Sequence, residues 1–243
     1  MKIKVINPNT TLAMTQTIGA AARAVAHPDT QIIAVSPAMG PVSIEGFYDE
    51  AVSVLGVLEE VRKGKSEGVD AFVIACFGDP GLDAAREIAH APVIGVAEAA
   101  MRVAGFISTG FSVVTTLPRT VVIAEHLVEK YGAESHCRKV RAADIAVLDL
   151  ENPTSGAYEK ILAECRLAMQ EDHCGAIVLG CAGMADLCEH LQSDLGIPVI
   201  DGVGAAVCTA EALIRLRLST SKLGDYAYPI SKSYVGALAP FAL

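Results

Sequence analysis

The sequence predicts an α/β fold of two similar lobes, each a parallel sheet flanked by helices, with the lobes related by a pseudo-twofold axis. Three observations carry this expectation. Short β-branched runs alternate with longer Ala/Leu/Glu segments, the pattern of a parallel sheet covered by helices on both faces. Residues 69–100 and 174–206 are two copies of one pattern. Val69-Asp70-Ala71-Phe72-Val73-Ile74-Ala75-Cys76-Phe77-Gly78 is matched by Cys174-Gly175-Ala176-Ile177-Val178-Leu179-Gly180-Cys181-Ala182-Gly183. Further on, Pro92-Val93-Ile94 with Ala99-Ala100 is matched by Pro198-Val199-Ile200 with Ala205-Ala206, at a cost of one small gap. Finally, 243 residues suffice for one large core or two small ones, and the duplication favours two.

Taken in order, the first strand is the β-branched run Ile3–Ile6, which ends at the loop Asn7-Pro8-Asn9-Thr10. An Ala-rich helix over Leu12–Val25 leads to the strand Gln31–Val35, and a Val/Leu/Glu segment over Asp49–Ser66 forms the next helix. The continuous apolar run Ala71–Ala75 is a buried strand; a helix Gly81–Ile88 and the strand Val93–Gly95 follow it. Helix Ala97–Val103 then carries the chain to the second half, which opens with the strand Ser112–Thr115 and the loop Thr115-Thr116-Leu117-Pro118. This loop is the counterpart of Asn7–Thr10. Helix Arg119–Tyr131, strand Ile145–Leu148, helix Ser155–Glu171, strand Ala176–Leu179, helix Ala185–Gln192 and strand Val199–Ile200 complete that half. Helix Gly204–Arg217 returns to the first half, so the lobes comprise residues 1–96 with 207–243, and residues 97–206. The tail from Ser219, with Tyr226, Tyr228 and Pro229, is expected to be an ordered cover because its aromatic rings favour burial.

Composition narrows the function classes. Although 52% of residues are hydrophobic, no apolar run approaches the ~20 residues that span a bilayer, so the apolar content belongs to buried strands and helices. Met1-Lys2-Ile3-Lys4-Val5-Ile6-Asn7-Pro8 is too short in its apolar part for an export signal, which points to the cytoplasm. Seven cysteines then read as free thiols in a reducing compartment. A formal charge of −9 argues against nucleic acid and anionic membranes as partners.

Ligands of open α/β sheets bind at the carboxyl ends of the strands, where Cys76, Cys181, Asn9 and Thr116 fall. Lobes facing each other would place one thiol on each wall of a cleft, an arrangement suited to removing a proton from one face of a carbon and delivering one to the other. A free thiol with a pKa of about 8.5 is a weak base at neutral pH unless its surroundings favour the anion. Asp79 as N-cap and Pro80 as first helical residue would put Cys76 near a helix N-terminus, and Gly180 and Gly183 would let backbone N–H groups approach a ligand beside Cys181. Such donors could also hold an enolate oxygen. Cys137, Cys165, Cys188 and Cys208 read as small hydrophobes, and the six histidines as surface or partly buried filler. His173-Cys174 has no second pair at ligand spacing, so no metal site is expected.

Several motifs together carry a resemblance. The paired cysteines, Val5-Ile6-Asn7-Pro8-Asn9-Thr10, Ser43-Ile44-Glu45-Gly46, Phe77-Gly78-Asp79-Pro80-Gly81-Leu82, Thr115-Thr116-Leu117-Pro118-Arg119-Thr120 and Pro198-Val199-Ile200-Asp201-Gly202-Val203 resemble the hydantoin and allantoin racemases of the aspartate/glutamate racemase superfamily. The resemblance spans essentially the whole chain. It implies cofactor-independent racemisation at C5 of a 5-monosubstituted hydantoin, with Cys76 and Cys181 as the acid/base pair, a cyclic ureide as substrate and a homo-oligomeric assembly. The amino-acid racemases of the superfamily typically follow their cysteines with Asn-Thr or Thr, whereas this chain has Phe77-Gly78 and Ala182-Gly183. Anchors for a free carboxylate and ammonium are therefore missing, which favours a neutral ring. Asn9, Gly78, Asp79, Thr115, Thr116, Gly180 and Gly183 are the ring-binding candidates, with Ile44 and Phe77 against the ring or its substituent. An open-chain amino-acid racemase, a maleate-type isomerase and a non-catalytic two-lobed binding module are the alternatives.

Overall fold

The computed structural model describes residues 1–242. Its first half contains β1 (Lys2–Ile6), α1 (Leu12–Val25), β2 (Gln31–Val35), α2 (Phe47–Glu67), β3 (Ala71–Ile74), α3 (Leu82–Ile88) and β4 (Val93–Gly95). Then come α4 (Val96–Ile107), β5 (Phe111–Thr115), α5 (Val121–Lys130), β6 (Cys137–Ala142), α6 (Ala157–Glu171), β7 (Ala176–Leu179), α7 (Cys188–Leu195), β8 (Val199–Ile200) and α8 (Gly202–Arg215). The strands form two four-stranded sheets, β2-β1-β3-β4 and β6-β5-β7-β8, with every pairing parallel. The second order is the first repeated four strands later. Register repeats too: Ile3 faces Ala71 and Ile6 faces Ile74, as Phe111 faces Ala176 and Val114 faces Leu179.

The central strands are apolar because both faces of each sheet are covered. Of the two lysines in β1, Lys2 sits at the strand's start, whereas Lys4 is 1% exposed and its ammonium lies 2.8 Å from both Glu60 and Glu67 of α2. The helices that link the halves exchange sheets. Ala97, Ala100, Met101 and Ala104 of α4 pack with Phe111, Val113, Ala176 and Val178, while Val203, Ala206, Val207 and Ala210 of α8 pack with Ile3, Val5, Ala71 and Val73. α4 and α8 meet where they begin. A Cβ on Gly202 would stand 2.7 Å from the Val96 carbonyl, so this approach requires a glycine.

Four expectations need correction. The Ile145–Leu148 strand is absent; that stretch leads into a 3-10 turn over Val147–Glu151, and the strand in this position is Cys137–Ala142. Cys-Arg-Lys-Val-Arg-Ala looks too cationic for a strand, but β6 is an edge strand bonded only to β5, so two of its residues stay exposed. Its one inward guanidinium, Arg141, is neutralised by Asp172 at 2.5 Å, Glu171 at 2.6 Å and Glu164 at 3.1 Å. Second, the expected helix Ala185–Gln192 is a 3-10 segment, Ala182–Leu187, followed by α7. Third, Asp79 does not cap the helix after it, since α3 begins at Leu82 behind Gly81. Fourth, the tail is only partly a cover. Lys222 Nζ donates to the Arg86 and Glu87 carbonyls and Tyr226 Oη to Asp83, yet Leu223, Ile230 and Val235 stay more than 80% exposed.

Candidate active site

Both thiols leave their sheets at the same place. Past the end of β3, the Ala75 N–H still donates to the Ile6 carbonyl at 2.8 Å, and Cys76 follows. Past β7, the Gly180 N–H donates to the Val114 carbonyl at 2.8 Å, and Cys181 follows. The two half-buried side chains line a single cleft at the carboxyl ends of both sheets. Asn7, Asn9, Thr115, Thr116, Ile44, Phe77, Gly78, Gly180 and Gly183 line it as well. Among the described residues no group of three or more His, Cys, Asp or Glu side chains is placed to hold a metal ion.

The walls are built by local bonding. Asn7 Nδ2 donates to Asn9 Oδ1 and Thr15 Oγ1, both at 2.9 Å, and Asn9 Oδ1 also accepts the Thr11 N–H at 2.9 Å. Its oxygen is therefore committed to the loop, whereas the Asn9 amide nitrogen meets only the Met14 sulfur at 3.2 Å. On the opposite wall Thr115 Oγ1 donates to the Gly180 carbonyl at 3.1 Å, which ties β5 to the residue before Cys181. The Thr116 hydroxyl has no hydrogen-bond partner among the described residues, although Thr116 is buried. Val147 seals one edge, its N–H donating to Glu45 Oε1 at 2.9 Å.

Burial dominates the electrostatics of the thiols and works against their ionisation. It pushes Cys181 up to about 11, with Glu151 and Glu45 adding to the effect and the Gly183 N–H opposing it. Cys76 is raised further, first by burial, then by Glu50, Cys181 and Asp79, and the Gly78 N–H opposes this. The expected activation of Cys76 by a capped helix is thus corrected: the favourable donor is one backbone N–H, two residues beyond each cysteine.

A family model described as Asp/Glu/Hydantoin racemase matches residues 3–210. The chain belongs to this racemase family. A hydantoin racemase from Pseudomonas sp. (strain NS671) is 53% identical over 241 residues, covering 99% of this chain and 97% of the relative. The structure of an allantoin racemase from Klebsiella pneumoniae superposes with a TM-score of 0.97 at 56% identity, covering 100% of this chain and 99% of the other. An allantoin racemase from Pseudomonas fluorescens gives a TM-score of 0.93 at 42% identity, covering 97% and 100%.

As a member of this isomerase family, the protein brings most of the residues singled out in its sequence to one cleft. Asp79 is set apart. It is 4% exposed and turned away from the cleft, its carboxylate accepting the N–H groups of Ala97 at 3.1 Å and Glu98 at 3.0 Å and the Tyr131 hydroxyl at 2.7 Å. It therefore caps α4, the helix that crosses between the halves. Three polar residues of the cleft, Asn7, Glu50 and Thr120, are not among the candidates the sequence offers. Asn7 and Thr120 belong to the Asn7–Thr10 and Thr115–Thr120 loops, and a doubled asparagine before α1 is the only signal for Asn7. Glu50 gave none, because a glutamate in the first turn of a helix is ordinary.

Proposed function

We propose that the protein is a cofactor-independent racemase of 5-monosubstituted hydantoins, allantoin or alkyl and arylalkyl hydantoins, using Cys76 and Cys181 as its two acid/base groups. One observation carries this reading: two thiols at equivalent strand ends line one cleft, each with a glycine N–H at the same offset that favours its anion. In the forward direction one cysteine, as thiolate, takes the C5 proton, and the electron pair of the broken C–H bond passes into an enolate at the neighbouring carbonyl. The other cysteine, as thiol, protonates the opposite face of C5 and becomes the thiolate. Turnover in reverse exchanges their states. The Asn9 amide, which meets only the Met14 sulfur, and the Thr116 hydroxyl are suited to the ring and its enolate oxygen. Ile44 and Phe77 supply apolar contact for the ring or its substituent.

The neutrality of the walls supports a ring over an open-chain amino acid. Lys, Arg and His side chains are absent from the lining among the described residues, so a free substrate carboxylate would meet no cation. The test is racemisation of an enantiopure hydantoin by Cys76→Ala and Cys181→Ala. Each single variant should lose at least about 10³ in kcat, since its acid or base is gone, while keeping its far-UV circular dichroism. Full activity in either refutes the two-thiol scheme. We also propose that the protein acts as a homo-oligomer, in keeping with the exposed apolar residues of its tail.

A further inference from the structure

Glu50 is the cleft group that the two-thiol scheme leaves without a task. It lies in the first turn of α2 and is the one carboxyl group among the described lining residues. Its position is defined by Gly78, because a Cβ built there would overlap Glu50 Oε1, so the carboxyl group rests against the backbone of the residue that serves Cys76. No hydrogen bond or ion pair engages this carboxyl group among the described residues, in contrast to Glu45 with the Val147 N–H and Asp49 with the Glu45 N–H. The titratable and charged groups around it are Asp79 and Cys76 from the loop after β3, with Arg119 against Gly46 and His126 stacked on Phe47 where α2 begins. Burial first, then the charge of Asp79, pushes Glu50 up to about 7.

A neutral carboxylic acid presents a donor O–H and an acceptor C=O side by side. A cyclic ureide presents an N–H and a C=O in the same cis relation, so the two edges can share a pair of antiparallel hydrogen bonds. An open-chain carboxylate offers only acceptors, and it repels Glu50 once that group ionises. We propose that Glu50 pairs as a neutral acid with one N–H/C=O edge of the ring, making it a specificity-determining residue that admits cyclic amides and disfavours free carboxylates. This inference rests on the racemase reading above. Gly78 then has a second function: it leaves the space in which the Glu50 carboxyl group sits beside the reacting thiol.

Glutamine retains a donor and an acceptor on adjacent atoms and cannot ionise, which makes Glu50→Gln the informative variant. The experiment is steady-state racemisation of an enantiopure 5-benzylhydantoin at pH 6, 7 and 8 by the wild type, Glu50→Gln and Glu50→Ala. Wild-type KM should rise about tenfold from pH 6 to pH 8 as the paired acid ionises. KM of Glu50→Gln should stay within about threefold of the pH 6 wild-type value and show no pH dependence, and KM of Glu50→Ala should be raised at least tenfold at every pH with a smaller change in kcat. An unchanged KM in Glu50→Ala overturns the proposal, as does Glu50→Gln behaving like Glu50→Ala in an otherwise folded protein. A wild type that racemises no hydantoin overturns the racemase reading and this inference with it, whereas an active wild type with indifferent Glu50 variants overturns the inference alone.

Discussion

Cys76 and Cys181 occupy equivalent positions without being equivalent acids. Cys181 is pushed up to about 11, and Cys76 is raised further, first by burial and then by Glu50, Cys181 and Asp79. Both rest as thiols near neutral pH, and the first thiolate to form as pH rises is that of Cys181. Alkylation requires the anion, and its rate follows the thiolate fraction. Brief treatment with iodoacetamide at pH 8 should therefore modify Cys181 faster than Cys76, with both rates climbing toward pH 10. Peptide mass spectrometry reads the two sites separately; equal rates, or Cys76 first, would show that burial and the neighbouring groups do not hold Cys76 above Cys181. In the sequence these thiols were legible because duplication singles out two of seven cysteines. Their asymmetry was not, since it depends on how deeply each thiol is buried and on Glu50 reaching Cys76 from α2.

The loop after β3 is held by an element distant in sequence. Asp79 has φ of 44°, a left-handed conformation that suits Asp and Asn better than most residues, and its carboxylate collects two N–H groups of α4 and the Tyr131 hydroxyl at the end of α5. Cys76, Phe77 and Gly78 are thereby tied to both the crossing helix and the second half. Asp79→Asn preserves the backbone preference but turns an N–H2 group toward donors, leaving buried groups unsatisfied. It should lower unfolding stability at pH 7 by about 1–3 kcal/mol in urea titrations and slow racemisation without removing either thiol. Wild-type stability would refute the capping role. The Asp-Pro pair read locally as the start of α3, and only the tertiary structure shows that the cap serves α4. The strand β6 was hidden for a similar reason: its Arg141 is acceptable in a strand once Asp172, Glu171 and Glu164 surround it, and these partners lie 23 to 31 residues away. The neighbouring Ile145-Ala-Val-Leu run is apolar because it closes the cleft through Val147, not because it pairs in a sheet.

At the scale of the whole molecule, the duplication determines where the chemistry sits. Repetition of one strand order in two sheets puts equivalent strand ends, and so equivalent thiols, on one cleft. We propose the lobe division 1–96 with 207–243, and 97–206; the packing of α4 on the second sheet and of α8 on the first supports it. The apolar side chains of Leu223, Ile230 and Val235 on the tail suit contact with a second copy. Light scattering on eluted protein should accordingly give a multiple of 25.3 kDa, and a monomer at micromolar concentration would refute that assembly. The most direct test of the two-thiol racemase is deuterium incorporation at C5 when enantiopure allantoin or 5-benzylhydantoin is converted in D2O, with enzyme-free exchange subtracted. Early in the reaction the product enantiomer should carry solvent deuterium at C5 while the recovered starting enantiomer retains protium, because one thiol removes the proton and the opposite, solvent-equilibrated thiol supplies the deuteron. Background rates with both rings, or equal labelling of both enantiomers from the outset, would contradict it.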